Sequence, residues 1–189
     1  MNKKACCSAL CLLVCFVSIV PECFTVEAHP NTCKPSGKIR GRKTPPTCDY
    51  DHGSDCCKQG KLYDIYKCSP PVSNRTEAIL TLISFDNEDY GPTECDDKFH
   101  SDEELVVALS TGWLGKKKRY GRFVKIHGNE KSVKAKVVDE CDSTVGCDAD
   151  HGYQQPCKNN IVEATSAVWK ALGEPEDRRD QMHIQWSDA

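Results

Sequence analysis

The chain reads as a mainly β protein, a closed barrel behind a small disulfide-rich N-terminal module. Three observations predict this. Residues 123–127 and 132–138 alternate in character on either side of Gly128-Asn129. Val133, Ala135 and Val137 share one face of the second run, and Lys134 and Lys136 the other, which is the period-two pattern of a strand with one buried side. Residues 78–85 and 182–186 are further β-favouring runs, the latter with Met182, Ile184 and Trp186 on a shared face. Cys33, Cys48, Cys56, Cys57 and Cys68 crowd a segment almost without aliphatic residues, so bridges rather than burial must hold it. Strands separated by irregular loops suggest that the sheet closes.

Taken in order, the chain opens with Lys3 and Lys4, an apolar run over residues 9–20 and the small-residue pattern Val26-Glu-Ala28. This is a secretory signal over residues 1–28, with cleavage expected after Ala28. A bilayer span needs roughly 20 apolar residues, and the run stops short of that at Pro21-Glu22, so no membrane association is expected. Five of the 14 cysteines fall in the signal and nine remain, which in an exported chain indicates a disulfide scaffold. No Cys-x-x-Cys pair recurs at finger spacing, so neither a metal nor another cofactor is expected. A net charge of −3 offers nucleic acid no attraction.

The N-terminal module runs over residues 29–73, with a short hairpin expected around residues 61–66. Its five cysteines cannot all pair among themselves, so a bridge to the barrel or a free thiol is expected. Ser69-Pro-Pro-Val-Ser73 reads as a stiff extended linker, after which the barrel domain occupies residues 74–189. Asn74-Arg-Thr76 is a glycosylation sequon, placing a glycan on Asn74. Strands are expected at 78–85, 105–109, 123–138 and 182–186. Residues 161–172 read as the one convincing helix, capped by Asn160 and stopped by Gly173, burying Ile161, Ala164, Val168, Ala171 and Leu172. The basic run Lys116-Lys-Lys-Arg119 with Arg122 reads as a solvated loop in preference to a polyanion contact.

The densest polar cluster follows the hairpin. Asp139, Glu140, Asp142, Asp148, His151 and Tyr153 lie between or beside Cys141, Cys147 and Cys157, and polar groups stapled at a strand end can line a site. A glycan hydrolase would take Asp139 or Asp142 as general acid, raised in pKa by burial, with Glu140, Asp148 or Asp150 as second carboxylate. The favoured reading is that Asp139 and Asp142 hold turns. No Ser-His-Asp set, nucleophile elbow or phosphate-binding glycine loop is present, so no catalytic residues are assigned. The six histidines (His29, His52, His100, His127, His151, His183) lack ligand spacing, and His100 and His151 read as structural or surface residues. Trp113, Tyr90 and Tyr153 are the aromatics available to stack on a sugar. The candidate binding surface is therefore Asp139, Glu140, Asp142, Asp148, His151 and Tyr153, with Trp113 and His100 beside it.

Val137-Val-Asp-Glu-Cys-Asp-Ser143, Gly146-Cys-Asp148, Pro156-Cys157 and Asn159-Asn-Ile-Val162 resemble the plant kiwellins, or ripening-related proteins. So do Cys33-Lys-Pro-Ser-Gly37, Asp55-Cys-Cys57, Tyr66-Lys-Cys-Ser-Pro-Pro-Val72, Ala108-Leu-Ser-Thr-Gly-Trp113 and Ile184-Gln-Trp-Ser187. The resemblance implies a six-stranded double-psi β-barrel of the barwin and expansin kind, with one or two short helices. It also implies a defence protein of the apoplast that binds and inhibits enzymes secreted by pathogens. The alternative it leaves is a protein that binds or cleaves cell-wall polysaccharide, although the His-Phe-Asp triplet typical of expansins is absent. Where kiwellins carry a cysteine in a Ser-Arg-Cys context this chain has Lys118-Arg119-Tyr120. That substitution makes Cys95 the expected free thiol and the loop over residues 111–122 the expected loose one.

Overall fold

The longest strand, β6 (Lys131–Cys141), supplies both the wall of the barrel and the entry to its polar loops. The computed structural model describes residues 33–45, 48, 56–86 and 91–189. The signal expected over residues 1–28 lies outside the described residues, as do His29, His52, Asp55 and Tyr90.

Two short strands, β1 (Gly37–Arg40) and β2 (Leu62–Ile65), pair antiparallel and form the N-terminal sheet. The hairpin expected within residues 61–66 is therefore one strand whose partner lies more than twenty residues upstream. Six strands make the barrel: β3 (Thr76–Leu82), β4 (Val106–Ser110), β5 (Phe123–Gly128), β6, β7 (Ile161–Ala164) and β8 (Gln181–Asp188), closed in the order β3-β7-β4-β6-β5-β8. The pairs β3/β7 and β4/β6 are parallel and the others antiparallel. This is the double-psi barrel that the resemblance implied. Two helices accompany it, α1 (Thr111–Leu114) and α2 (Ser166–Ala171).

The helix expected over residues 161–172 is corrected at its first half. Ile161–Ala164 is β7, held by β3 on one side and β4 on the other, and only Ser166–Ala171 is helical. The apparent cap Asn160 precedes a strand. The β5–β6 hairpin turns on Asn129 and Glu130, both at positive φ (49° and 60°), the backbone of a two-residue turn matched to strand twist.

The interior is apolar and fully enclosed. Leu80, Val107, Leu109, Val124, Ile126, Ala135, Val137, Val162 and Trp186 point inward, and Trp113, Leu114, Val168, Trp169 and Leu172 of the helices complete the cluster. Trp113 meets Trp186 edge-on, with ring centroids 5.1 Å apart, and its Nε1 donates to the Pro70 carbonyl at 2.8 Å. The proline segment is thus strapped to the barrel. A Cβ on Gly112 would lie 2.1 Å from the Ser69 nitrogen, so only glycine lets the strap approach this closely. A smaller cluster of Phe85, Val106, Ala108, Val138, Cys141 and Ile161 covers the outer face of β4, β6 and β7.

Candidate functional site

The strands β4 and β6 run parallel and end side by side at Ser110 and Cys141, so the segments leaving them emerge together. The longer one, residues 142–160, has almost no apolar side chains to bury and is held by other means. The Cys141–Cys157 disulfide closes it, and Cys57–Cys147 ties it to the N-terminal sheet, where Cys33–Cys68 and Cys48–Cys56 complete the four bridges among the described residues. Inside, the Ser110 hydroxyl donates to the Lys158 carbonyl at 2.7 Å and accepts from the Ile161 N–H at 2.8 Å, with Ser110 and Ser143 both fully buried. The Cys57 N–H donates to the Tyr153 carbonyl at 2.9 Å. Where this loop meets the N-terminal sheet there is an open depression of about 510 Å³, lined by Ile39, Arg40, Arg42, Val145 and Asp148.

Most carboxylates of the cluster are spent on the loop itself. Asp142 accepts from both the N–H and the hydroxyl of Thr144, at 2.6 and 2.7 Å, the local turn contact that short acidic side chains favour. Glu140 accepts from the Thr111 hydroxyl at 2.5 Å, while Thr111 accepts in turn from the Ser143 N–H at 2.8 Å. Burial lifts the Glu140 pKa, with Asp142, Glu94 and Asp139 adding to the effect and the Thr111 bond opposing it. Asp148 caps a single 3-10 turn by accepting from the His151 N–H, and its side chain also pairs with the His151 ring. That pairing holds the Asp148 pKa below the ordinary carboxylate value.

Asp139 stands apart, on the outer face of β6 under a cover made by residues 91–104. Its Oδ1 accepts from the Glu94 N–H at 3.1 Å and from the Glu140 N–H at 2.8 Å, and burial nevertheless raises its pKa. A bulge between Val107 and Ala108 sets Asp139 opposite Ala108, whose other neighbour, on β7, is Glu163. The two carboxylates therefore lie in one row with the small Ala108 between, their backbones about 10 Å apart at ordinary strand spacing. The Glu163 side chain has no hydrogen-bond partner among the described residues. Burial, with a contribution from Asp139, pushes its pKa up to about 7.

The cover is clamped by His100, which is 6 % exposed and bonds Asp96 through Nε2 and Glu104 through Nδ1, each at 3.1 Å. Burial opposes ionisation of Asp96, but the bonds from His100, Thr93 and Lys136 outweigh it and hold its pKa down to about 2. Thr165 at the head of α2 donates to the Glu104 carbonyl at 2.6 Å. Cys95 is the free cysteine among the described residues. Burial pushes its thiol up to about 12 against a hydrogen bond from Gly121, which leaves it a poor nucleophile. Residues 111–122 are tied at named points: Arg119 makes a bidentate pair with Asp188, and the Tyr120 hydroxyl donates to Glu94 at 2.6 Å.

Of the residues read from sequence, Asp142, Asp148, His151 and Tyr153 stand on the loop of residues 142–160, with Glu140 at its base. Asp139 and His100 belong to the separate covered face. Trp113, 1 % exposed, is a core residue and presents no ring to a ligand. Sequence reasoning missed Glu163, because it lay inside the expected helix, and also Glu94 and Asp96. Among the described residues no group of three His, Cys, Asp or Glu is arranged to hold a metal ion, and no helix is long and apolar enough to cross a membrane.

A family model described as Kiwellin-1 matches residues 5–189. The chain belongs to the kiwellin family. Putative ripening-related protein 2 of Oryza sativa subsp. japonica is 46% identical over 83% of this chain and 80% of its own length. Kiwellin of Actinidia chinensis var. chinensis is 45% identical over 79% of this chain and 63% of its own. Among solved structures, an expansin of Clavibacter michiganensis aligns over 61% of this chain and 50% of its own with a TM-score of 0.44 and 17% identity. A Streptomyces papain inhibitor aligns over 62% of this chain and 97% of its own with a TM-score of 0.41 and 16% identity.

Proposed function

We propose that this family member acts by binding, as a secreted defence or ripening-related protein that recognises a secreted protein partner, in a plant under attack an enzyme or effector exported by the pathogen. The observation that carries the reading is the commitment of the loop carboxylates. Asp142, Glu140 and Asp148 are each engaged by neighbours that hold residues 139–157 in one conformation, so the loop is a rigid display with no free acid-base pair. Rigid loops on a stable scaffold are the usual setting for recognition, and preorganisation lowers the entropy lost on association. The depression between Ile39, Arg42, Val145 and Asp148 offers apolar surface with charged groups around it, a suitable seat for one anchoring side chain of a partner. Four disulfides suit an oxidising compartment, and Asn74 is exposed for a glycan.

The test is retention of proteins from the secretome of an infecting fungus on the immobilised protein and on an Arg42→Glu/Val145→Arg variant. A specific partner retained by the first and released by the second is expected. If the same proteins are retained equally by both, or none by either, the reading fails.

A second reading, glycan cleavage, draws on Asp139 and Glu163, both held toward the protonated form that a general acid requires. Asp139, however, lies under the cover of residues 91–104 with its Oδ1 already bonded by the Glu94 and Glu140 N–H groups. Binding is accordingly the reading preferred.

A further inference from the structure

The barrel carries its charge unevenly. Residues 115–136 contain nine Lys and Arg against a single acid, Glu130, in a chain whose net charge is −3. Three of the nine are neutralised by neighbours: Lys117 by Glu94, Arg119 by Asp188 and Lys136 by Asp96. Lys118, Arg122, Lys125 and Lys134 have no carboxylate partner among the described residues. Two of these sit on the regular sheet. Lys125 of β5 is paired in register with Lys134 of β6, and like charges directly opposite on adjacent strands destabilise a sheet. The Lys134 ammonium stands 4.7 Å over the Phe123 ring, and that ring is 45 % exposed.

The rows on this outer face continue in order. Phe123 lies beside Lys136, then Lys125 between Lys134 and Ser187, then His127 between Ser132 and Gln185. At strand rise the three rows cover about 13 Å. The last of these rows opens on a depression of about 490 Å³, lined by Arg75, Lys131 and His183 together with Glu77 and Glu130, so the basic track ends there. We propose that this face of β5, β6 and β8 binds an acidic polysaccharide, a linear chain of sugars bearing carboxylates.

The side chains favour a glycan over an acidic protein. Lysines spaced along a flat track meet carboxylates spaced along a polymer, Ser132, Ser187 and His127 offer hydrogen bonds to hydroxyls, and Phe123 offers one face for a sugar ring. A protein partner needs a pocket for an apolar anchor, and Phe123 is the single exposed apolar side chain in these rows. Strand addition is barred too, because a closed barrel has no free edge. The surface is separate from the loop of residues 139–157, so this inference goes beyond the protein-binding reading and stands or falls independently of it.

The experiment is affinity electrophoresis of the protein secreted from a eukaryotic host, in gels containing polygalacturonate, fully methyl-esterified pectin or polyglutamate of matched charge. Retardation by polygalacturonate alone is expected, weakening as salt rises. Lys125→Gln/Lys134→Gln should weaken it roughly tenfold, as the loss of two exposed ion pairs implies, and Phe123→Ala roughly threefold, with melting temperatures no lower than the parent's. All three residues are exposed, so the variants fold. Equal retardation by methyl-esterified pectin or by polyglutamate overturns the proposal. So does a double variant that binds like the parent while Lys116→Gln/Lys118→Gln abolishes binding, because that result would place the contact in the preceding loop.

Discussion

One strand carries opposite charges on two stretches of the same outer surface, and the contrast shows what burial does to a charge. Before Lys136 the outward side chains of β6, Ser132 and Lys134, stand on an open sheet, and Lys134 faces Lys125 without a counter-charge. Past the bulge at Val107 and Ala108 the outward side chain is Asp139, covered by residues 91–104 and bonded to two backbone N–H groups. Covered charges must be satisfied or neutralised within the fold, and here they are, by His100, Thr93, Lys136 and raised pKa values. Exposed charges are under no such demand, which leaves the lysines available to a partner.

The largest expected effect comes from opening the covered half. His100→Ala removes the group that joins Asp96 to Glu104 and should cost about 2 kcal/mol, the scale of leaving buried hydrogen-bond partners unmade, as measured by chemical denaturation. A loss below about 0.5 kcal/mol, typical of surface substitutions, would show that the cover does not depend on this clamp.

Next is the pH dependence of Glu163. Its pKa of about 7 in the folded protein exceeds the 4.5 of an unperturbed Glu, so the folded state retains a proton that the unfolded chain releases between those values. Stability from this group is complete below about pH 4.5 and is lost as pH rises through 7. Asp96 behaves oppositely, its contribution being present above the ordinary 3.8 and lost as pH falls through about 2. Glu163→Gln should abolish the decline toward neutrality and stabilise the protein above pH 7, by up to about 3 kcal/mol. Melting curves across pH 4 to 8 that are parallel for parent and variant would contradict this assignment.

A smaller gain is expected at the seam between the halves. Cys95 takes a hydrogen bond from Gly121, the residue after Tyr120, and burial, then Glu94 and then the neighbouring Cys95 raise the Tyr120 phenol pKa, so Tyr120→Cys should form a bridge with it. The gain is about 2 kcal/mol, and the one thiol that alkylation of the denatured, unreduced parent should label should disappear. A variant with two alkylatable thiols would show that the two positions do not meet. On the exposed half, Lys125→Glu replaces a like-charge pair by an opposite one and should stabilise the sheet by about 0.5 kcal/mol, an effect that high salt removes. A variant less stable than the parent at low salt would mean that the lysines are not in conflict.

Legibility in the sequence followed the same division. The β5–β6 hairpin was legible because one face is buried and the other wet, which writes a clean alternation into Val133, Ala135 and Val137 against Lys134 and Lys136. β7 was not, because it is covered on both faces: Ile161 joins the outer cluster while Val162 and Ala164 join the inner one. Four residues without alternation, followed by a true helix and preceded by Asn160, present a helical spacing, and the strand hydrogen bonds that decide otherwise come from β3 and β4, more than fifty residues away. The candidate site divided likewise. The turn role of Asp142 follows from local residues and was the favoured reading, whereas the cap that Asp148 makes on residues 149–151 was not foreseen. The burial of Trp113 depends on a distant proline strap, and the pairing of Asp139 with Glu163 across Ala108 depends on a bulge, neither of which a local pattern records.

That the covered carboxylates carry out no chemistry while the exposed surfaces bind is tested by incubating the parent and Asp139→Asn with labelled cell-wall glycans and quantifying released reducing ends. The account predicts no release by either protein above a heat-inactivated control. Release by the parent that is abolished in Asp139→Asn would contradict it and make Asp139 a catalytic acid.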